Sequence, residues 1–127
     1  WYFYNAHFVA TVSPTFGGGA RSSNLLASAD AGLGYLYVVP PLALLLAGAA
    51  VAMLHEAEEA TDGALAALGV VPAYFLLAVL GTVAFAHGVG DAGSVHPDTV
   101  TGALLAGIVY PAVFGGTGGA LGSIVDA

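Results

Sequence analysis

The sequence predicts an all-α fold, a polytopic transmembrane helical bundle of three spans plus the C-terminal remnant of a preceding helix. Composition, charge placement and the lack of an alternating pattern predict it. Hydrophobic residues make up 58% of the 127 and charged residues 7%, against about 25% charged in an ordinary soluble domain. The charges fall at Arg21, Asp30, Glu56, Glu58, Glu59, Asp62, Asp91, Asp98 and Asp126, which leaves 31–55, 63–90 and 99–125 free of them. A hydrocarbon core ~30 Å thick is crossed by about 20 apolar residues of helix, and each stretch exceeds that. Membrane strands would alternate apolar and polar residues. No such alternation appears, so no strands are expected.

The N-terminal run Trp1-Tyr2-Phe3-Tyr4-Asn5-Ala6-His7-Phe8 is densely aromatic. Such rings collect where membrane meets water. The run is too short to cross and lacks the basic start of a signal peptide. It reads either as the end of an earlier span, in a fragment of a longer chain, or as an interfacial segment; the first is preferred. Residues 11–29 form a Ser/Thr/Gly-rich loop around Gly17-Gly18-Gly19, a run that favours turns. A short interfacial helix is expected to start at Asn24-Leu25-Leu26-Ala27.

Spans follow at 35–54, 64–87 and 100–124, in one membrane domain over 1–127. Helix starts are marked by Asp30, by Thr61 and Asp62, and by Pro97, Asp98 and Thr99. Short polar side chains accept from free amides of a first turn, Pro suits that turn, and acids favour the positive end of the helix dipole. The loop 55–63 is compact and acidic, and 88–99 is rich in Gly and Asp. Three crossings put 9–34 and 88–99 on one side, with 55–63 and the C-terminus on the other. Arg21 alone points the long loop inward, whereas its length and Ser/Gly content point outward; outward is preferred.

The residue content also excludes functions. A net charge of −7 with a single base argues against nucleic acid, whose phosphates are neutralised by Lys and Arg. Without cysteine there are no disulfides, thiolate nucleophiles or Cys-bound metals. Eight acids against one Arg, with no Lys, suit high salt, where screening acts over a few Å; at low salt the same acids repel. A halophilic archaeal source is expected.

Tyr4-Asn5-Ala6-His7-Phe8-Val9 and Val109-Tyr110-Pro111-Ala112-Val113-Phe114-Gly115-Gly116, with hydrophobic spans between them, resemble a family of uncharacterised haloarchaeal multi-pass membrane proteins. Some members are loosely labelled transporter-like. The resemblance covers most of the chain, although only these two blocks are specific. It implies a membrane, a haloarchaeal source and an N-terminal helix before the first block. It carries over no catalytic or binding residue.

Gly115-Gly116-Thr117-Gly118-Gly119-Ala120-Leu121-Gly122 fails as a dinucleotide loop, because Leu121 replaces the last small residue, no strand is expected before it and no ribose-binding acid follows. A phosphate loop would need a Lys. Gly115/Gly119 and Gly118/Gly122 are instead i, i+4 pairs that let a neighbouring helix approach closely. A locally unwound segment lining a cavity is the alternative. Pro40, Pro41, Pro72 and Pro111 are expected to kink their helices, since each removes an amide donor. Gly69-Val70-Val71-Pro72 resembles Gly107-Ile108-Val109-Tyr110-Pro111. Interrupted helices at matching places occur in transporters, although ordinary kinks would read the same.

Tyr74 and Tyr110 adjoin these prolines and need partners for their hydroxyls in lipid. Tyr35 and Tyr37 mark the interface. A transporter would line a polar cavity with Tyr74, Thr82, Tyr110 and Thr117; an assembly subunit would have a sealed core and expose a small-residue groove. His7, His87 and His96 fall on one side with Asp91 and Asp98, but without metal-ligand spacing. His55-Glu56-Ala57-Glu58-Glu59 has Glu where a zinc-binding helix has its second His. The acids Glu56, Glu58, Glu59 and Asp62 read as a solvated turn.

No Asp, Glu, Lys or Arg lies inside a span, where ion-coupled transporters and intramembrane enzymes place them. No catalytic, cofactor-binding or metal-binding residues are therefore assigned. The expected protein is a non-enzymatic, multi-pass protein of the cell membrane, with the lipid bilayer as partner and no nucleic acid. Its role is transporter-like or permeation-related, or else that of an assembly subunit packing on other membrane helices or on itself.

Overall fold

The computed structural model describes residues 1–29 and 32–125. Three helices are long and apolar enough to cross a membrane: Gly34–Leu54, Ala60–Ala84 and Thr99–Val125, the first, second and third spans. Asp30, expected to cap the first, lies outside the described residues. Two short helices, α1 (Tyr2–Ala6) and α2 (Leu25–Ser28), precede them.

Each span has a local reason for its shape. The first begins as a 3-10 turn, Gly34–Tyr37, and becomes α-helical from Val39. Pro40 and Pro41 therefore sit in the first α-turn, where an amide has no intrahelical acceptor to lose. The second span consists of two helices, Ala60–Leu68 and Val71–Ala84. They join at Gly69 and Val70, whose amides bond Ala66 O and Ala67 O, and Pro72 opens the second helix. The third span starts where the Asp98 carboxylate accepts from the Thr101 amide at 2.7 Å. It then winds as a π-helix through Gly102–Val109 and Pro111–Gly115 before an α-helix, Gly116–Val125. Pro111 stands at the junction of the π-wound stretches.

The third span is the one shared by the others. Its Gly116–Val125 end packs on the first span and on Ala60–Leu68, and its Gly102–Val109 end packs on Val71–Ala84. Glycines make the first of these contacts a backbone one. A Cβ on Gly118 would strike the Leu45 carbonyl, one on Gly119 the Gly63 carbonyl, and one on Gly122 would lie 2.7 Å from Ala49 Cα. The approach is reciprocal, since a Cβ on Gly63 would strike Gly119 O and one on Gly48 would strike Gly115 O.

The expectation of an all-α chain needs correction, because a four-stranded antiparallel sheet closes one end of the bundle. Its strands are β1 (Thr11–Pro14), β2 (Ala20–Ser23), β3 (His87–Gly88) and β4 (Ser94–Pro97), in the order β2-β1-β4-β3. Gly17, Gly18 and Gly19, all at positive φ, turn β1 into β2. Thr11 pairs with Pro97 and Val12 with His96, so the N-terminal loop and the loop between the last two spans meet at one end. The strands are too short for alternation to show, and the β1–β4 pairing joins residues far apart in sequence.

Candidate functional site

The most buried polar side chains belong to α1 and the turn after it. Asn5 and His7 are 0% exposed and Tyr4 is 1% exposed, in a run that composition alone would leave at a membrane interface. The Trp1 indole N–H donates to Phe85 O at 2.8 Å, the Tyr4 hydroxyl to Ala78 O at 2.6 Å, and His7 Nε2 lies 3.1 Å from the Tyr74 hydroxyl. The partners step back along the second span as α1 advances. Hence α1 runs antiparallel to that span, inward from the sheet end, and the chain turns back at His7 and Phe8. Phe8 adopts φ 61°, Val9 N bonds back to Tyr4 O, and β1 begins at Thr11. Residues 2–6 are helical with Asn5 and His7 buried, and the chain reverses at His7 and Phe8.

Two glycines make room for it. A Cβ on Gly81 would strike the Tyr4 hydroxyl, and one on Gly102 would come within 3.5 Å of the Tyr4 ring and 3.1 Å of Thr82 Cγ2. Tyr4 thereby packs with Val9, Ala78 and Ala106.

His7 sits deepest. Its Tyr74 partner precedes Ala84, the end of that helix, by ten residues, which at 1.5 Å per residue is roughly 15 Å, half of a ~30 Å hydrocarbon core. His7 Nδ1 lies 2.7 Å from Phe3 O. A carbonyl only accepts, so the neutral ring carries its proton on Nδ1 and Nε2 accepts from the Tyr74 hydroxyl. Phe3 and Tyr110 hold the imidazole, with ring centroids 4.5 and 4.7 Å away. Burial pushes the His7 pKa down, against the opposing pull of the Phe3 carbonyl.

Asn5 ties the turn to its neighbours. Its Nδ2 donates to Val9 O at 2.8 Å and Thr11 Oγ1 at 3.2 Å, and its Oδ1 accepts from the Leu25 amide at 3.0 Å. Asn24 Nδ2 donates to Asn5 O at 3.1 Å. Asn24 Oδ1 accepts from the Leu26 and Ala27 amides at the start of α2 and from the Tyr37 hydroxyl. The Phe8 ring stacks on Tyr37 with centroids 4.7 Å apart.

Of the four residues expected to line a cavity, three come together around this segment. Tyr74 and Tyr110 face His7, while Thr82 lies beside Tyr4 and turns its hydroxyl onto Val79 O. The space they border is filled by Tyr4 and His7. Thr117 lies elsewhere, exposed and bonded to Val113 O at 2.6 Å. Of the packing glycines, Gly118, Gly119 and Gly122 lie in the helix seam, and Gly115 contributes its carbonyl there while a Cβ on it would meet nothing within 4 Å. The other histidines stand apart from His7. His87 pairs with Val95 across the sheet, and His96 Nδ1 lies 2.8 Å from Pro97 O. Among the described residues no three His, Asp or Glu side chains come together as a metal site.

Sequence reasoning missed Asn5 and His7 as buried groups. The available signal was an Asn-x-His pair inside an otherwise apolar, aromatic run. Two hydrogen-bonding side chains there demand partners if buried.

Fold and site together define a helical bundle with three helices able to cross a membrane and the short helix α1 hydrogen-bonded among them. The chain belongs to the family described as "Family of unknown function (DUF7978)", which it matches over residues 1–126. No curated protein and no solved structure matches it significantly.

Proposed function

We propose that this is a non-enzymatic integral protein of the cell membrane, crossing it three times, with a transporter-like or permeation-related role. The observation that carries this reading is the placement of His7 between Tyr74 and Tyr110, about halfway along the second and third spans, with Tyr4 filling the space beside Ala78, Gly81 and Gly102 nearer their ends. Polar and ionisable groups at such depth are costly and mark pathways more often than packing. In this reading α1 plugs a polar-walled passage for a small polar or ionic solute. The assembly-subunit reading draws less support. The glycine face it would expose, Gly118, Gly119 and Gly122, is already filled by Leu45, Ala49 and Gly63 of the same chain.

Flux through reconstituted vesicles tests the plug. Tyr4→Ala empties the space beside Gly81 and Gly102 and is expected to raise permeability to glycerol or potassium above that of the wild type. Permeability equal to protein-free vesicles for both solutes, in both proteins, would count against the reading. The eight acids against one base further support a high-salt setting and the haloarchaeal source. Melting temperature is expected to rise from low salt to multimolar KCl, and a flat response opposes that setting.

A further inference from the structure

We propose that His7 is a proton-binding site that latches the short helix α1, so that proton uptake releases it from between the second and third spans. This rests on the plug reading above. Four observations carry it.

First, His7 is fully buried, and both ring nitrogens are engaged, Nδ1 by Phe3 O and Nε2 by the Tyr74 hydroxyl. That pattern suits the neutral ring.

Second, among the described residues the partners of the His7 ring are a carbonyl, hydroxyls and aromatic rings, with no carboxylate bonded to it. The titratable groups on the elements packed against it are Tyr74 of the second span, Tyr110 of the third, Tyr4 of α1 and Tyr37 of the first span, which stacks on the adjoining Phe8. No Asp, Glu, Lys or Arg lies in 31–55, 63–90 or 99–125. An imidazolium left there without a carboxylate is penalised by desolvation.

Third, α1 lies toward the sheet end of the bundle, with Trp1 bonded to Phe85 O just past the end of the second span and Tyr2 exposed.

Fourth, its departure would uncover Tyr74, Thr82 and Tyr110 together, because Tyr4 and His7 occupy the space among them. Charging a ring so enclosed is opposed by its burial, and proton uptake then favours release.

Trp1 is the single tryptophan and its indole is bonded to Phe85 O, so its emission reports the position of α1. The experiment follows Trp1 emission of the full chain in liposomes from pH 8 to pH 4. A reversible shift is expected, with its midpoint below that of a free histidine. His7→Gln removes the shift, whereas His87→Gln and His96→Gln retain it.

Tyr74→Phe keeps the ring but deletes a hydrogen bond made only while α1 is docked, so its midpoint rises by about half a pH unit. This second variant decides the matter if His7→Gln does not fold. No shift in the wild type, a shift that survives His7→Gln, or a midpoint unmoved by Tyr74→Phe overturns the latch. Potassium and glycerol flux, measured in parallel, separates the two claims. A His7-dependent shift without flux supports the latch and removes the permeation reading; flux without the shift overturns the latch and keeps that reading.

Discussion

The two halves of the bundle are held together by opposite means. Where Gly116–Val125 meets the first span and Ala60–Leu68, side chains are nearly absent and backbone touches backbone through Gly118, Gly119, Gly122, Gly48 and Gly63. Where Gly102–Val109 meets Val71–Ala84, an inserted segment adds Tyr4, Asn5 and His7 and satisfies each with a named partner. The lipid surrounding proposed for the three helices would account for both. Apolar side chains gain little by leaving hydrocarbon for a neighbouring helix, so association relies on close packing or hydrogen bonds. The glycine half uses the first and leaves no space; the α1 half uses the second and leaves an arrangement that can be undone. The difference is between backbone contact at the glycine seam and side-chain hydrogen bonds around α1.

The comparison breaks most severely at the seam. Gly118→Leu sets a branched side chain against the Leu45 carbonyl, a backbone atom that cannot turn aside. Destabilisation above about 3 kcal/mol is expected, seen as loss of folded protein in detergent; an unchanged melting temperature would deny the seam its packing role. In the other half, Asn5→Ala leaves the Leu25 amide and Val9 carbonyl without their side-chain partner. A loss of about 2 kcal/mol follows, and faster hydrogen exchange at Leu25 than in the seam helices would show that the α1 half opens separately.

A smaller effect is expected at the start of the third span. Asp98→Ala removes the cap on the Thr101 amide at a cost of about 1 kcal/mol. Hydrogen bonds from Thr101 hold the Asp98 carboxyl below its usual value. Its contribution is therefore present above the unfolded carboxylate pKa and is lost as pH falls through the folded one. A thermal-stability profile should show the wild type losing its advantage over Asp98→Ala in that acidic window. The smallest change is expected for Thr117→Ala. The exposed hydroxyl serves only Val113 O on its own helix, so melting should stay within about 0.5 kcal/mol of wild type and vesicle flux should not change.

Much of the fold was legible because it follows from local chemistry. Charges mark span ends, so the predicted 35–54, 64–87 and 100–124 lie within four residues of the observed Gly34–Leu54, Ala60–Ala84 and Thr99–Val125 at every end. Asn24 and Asp98 sit at the helix starts where polar residues were expected, with their side chains on the first free amides. The sheet was not legible, because Val12 faces His96 across most of the chain. The candidate site was legible only in fragments. Tyr74, Thr82 and Tyr110 could be named as polar groups within the spans, but the segment packed against them read as the end of an earlier span.

By itself, the sequence determined three apolar helices, their approximate limits and their order, because the cost of a charge or an unpaired amide in hydrocarbon is a local quantity. Tertiary structure decided which side of those helices faces inward, that the glycines serve contacts within the chain, and that His7 lies buried against Tyr74. Those outcomes depend on which surfaces meet. An aromatic run with an Asn and a His satisfies the same composition at an interface or inside a bundle. Only the carbonyl and hydroxyl groups of Phe3, Val9, Ala78 and Tyr74, brought within hydrogen-bonding reach, make the inside the favourable place.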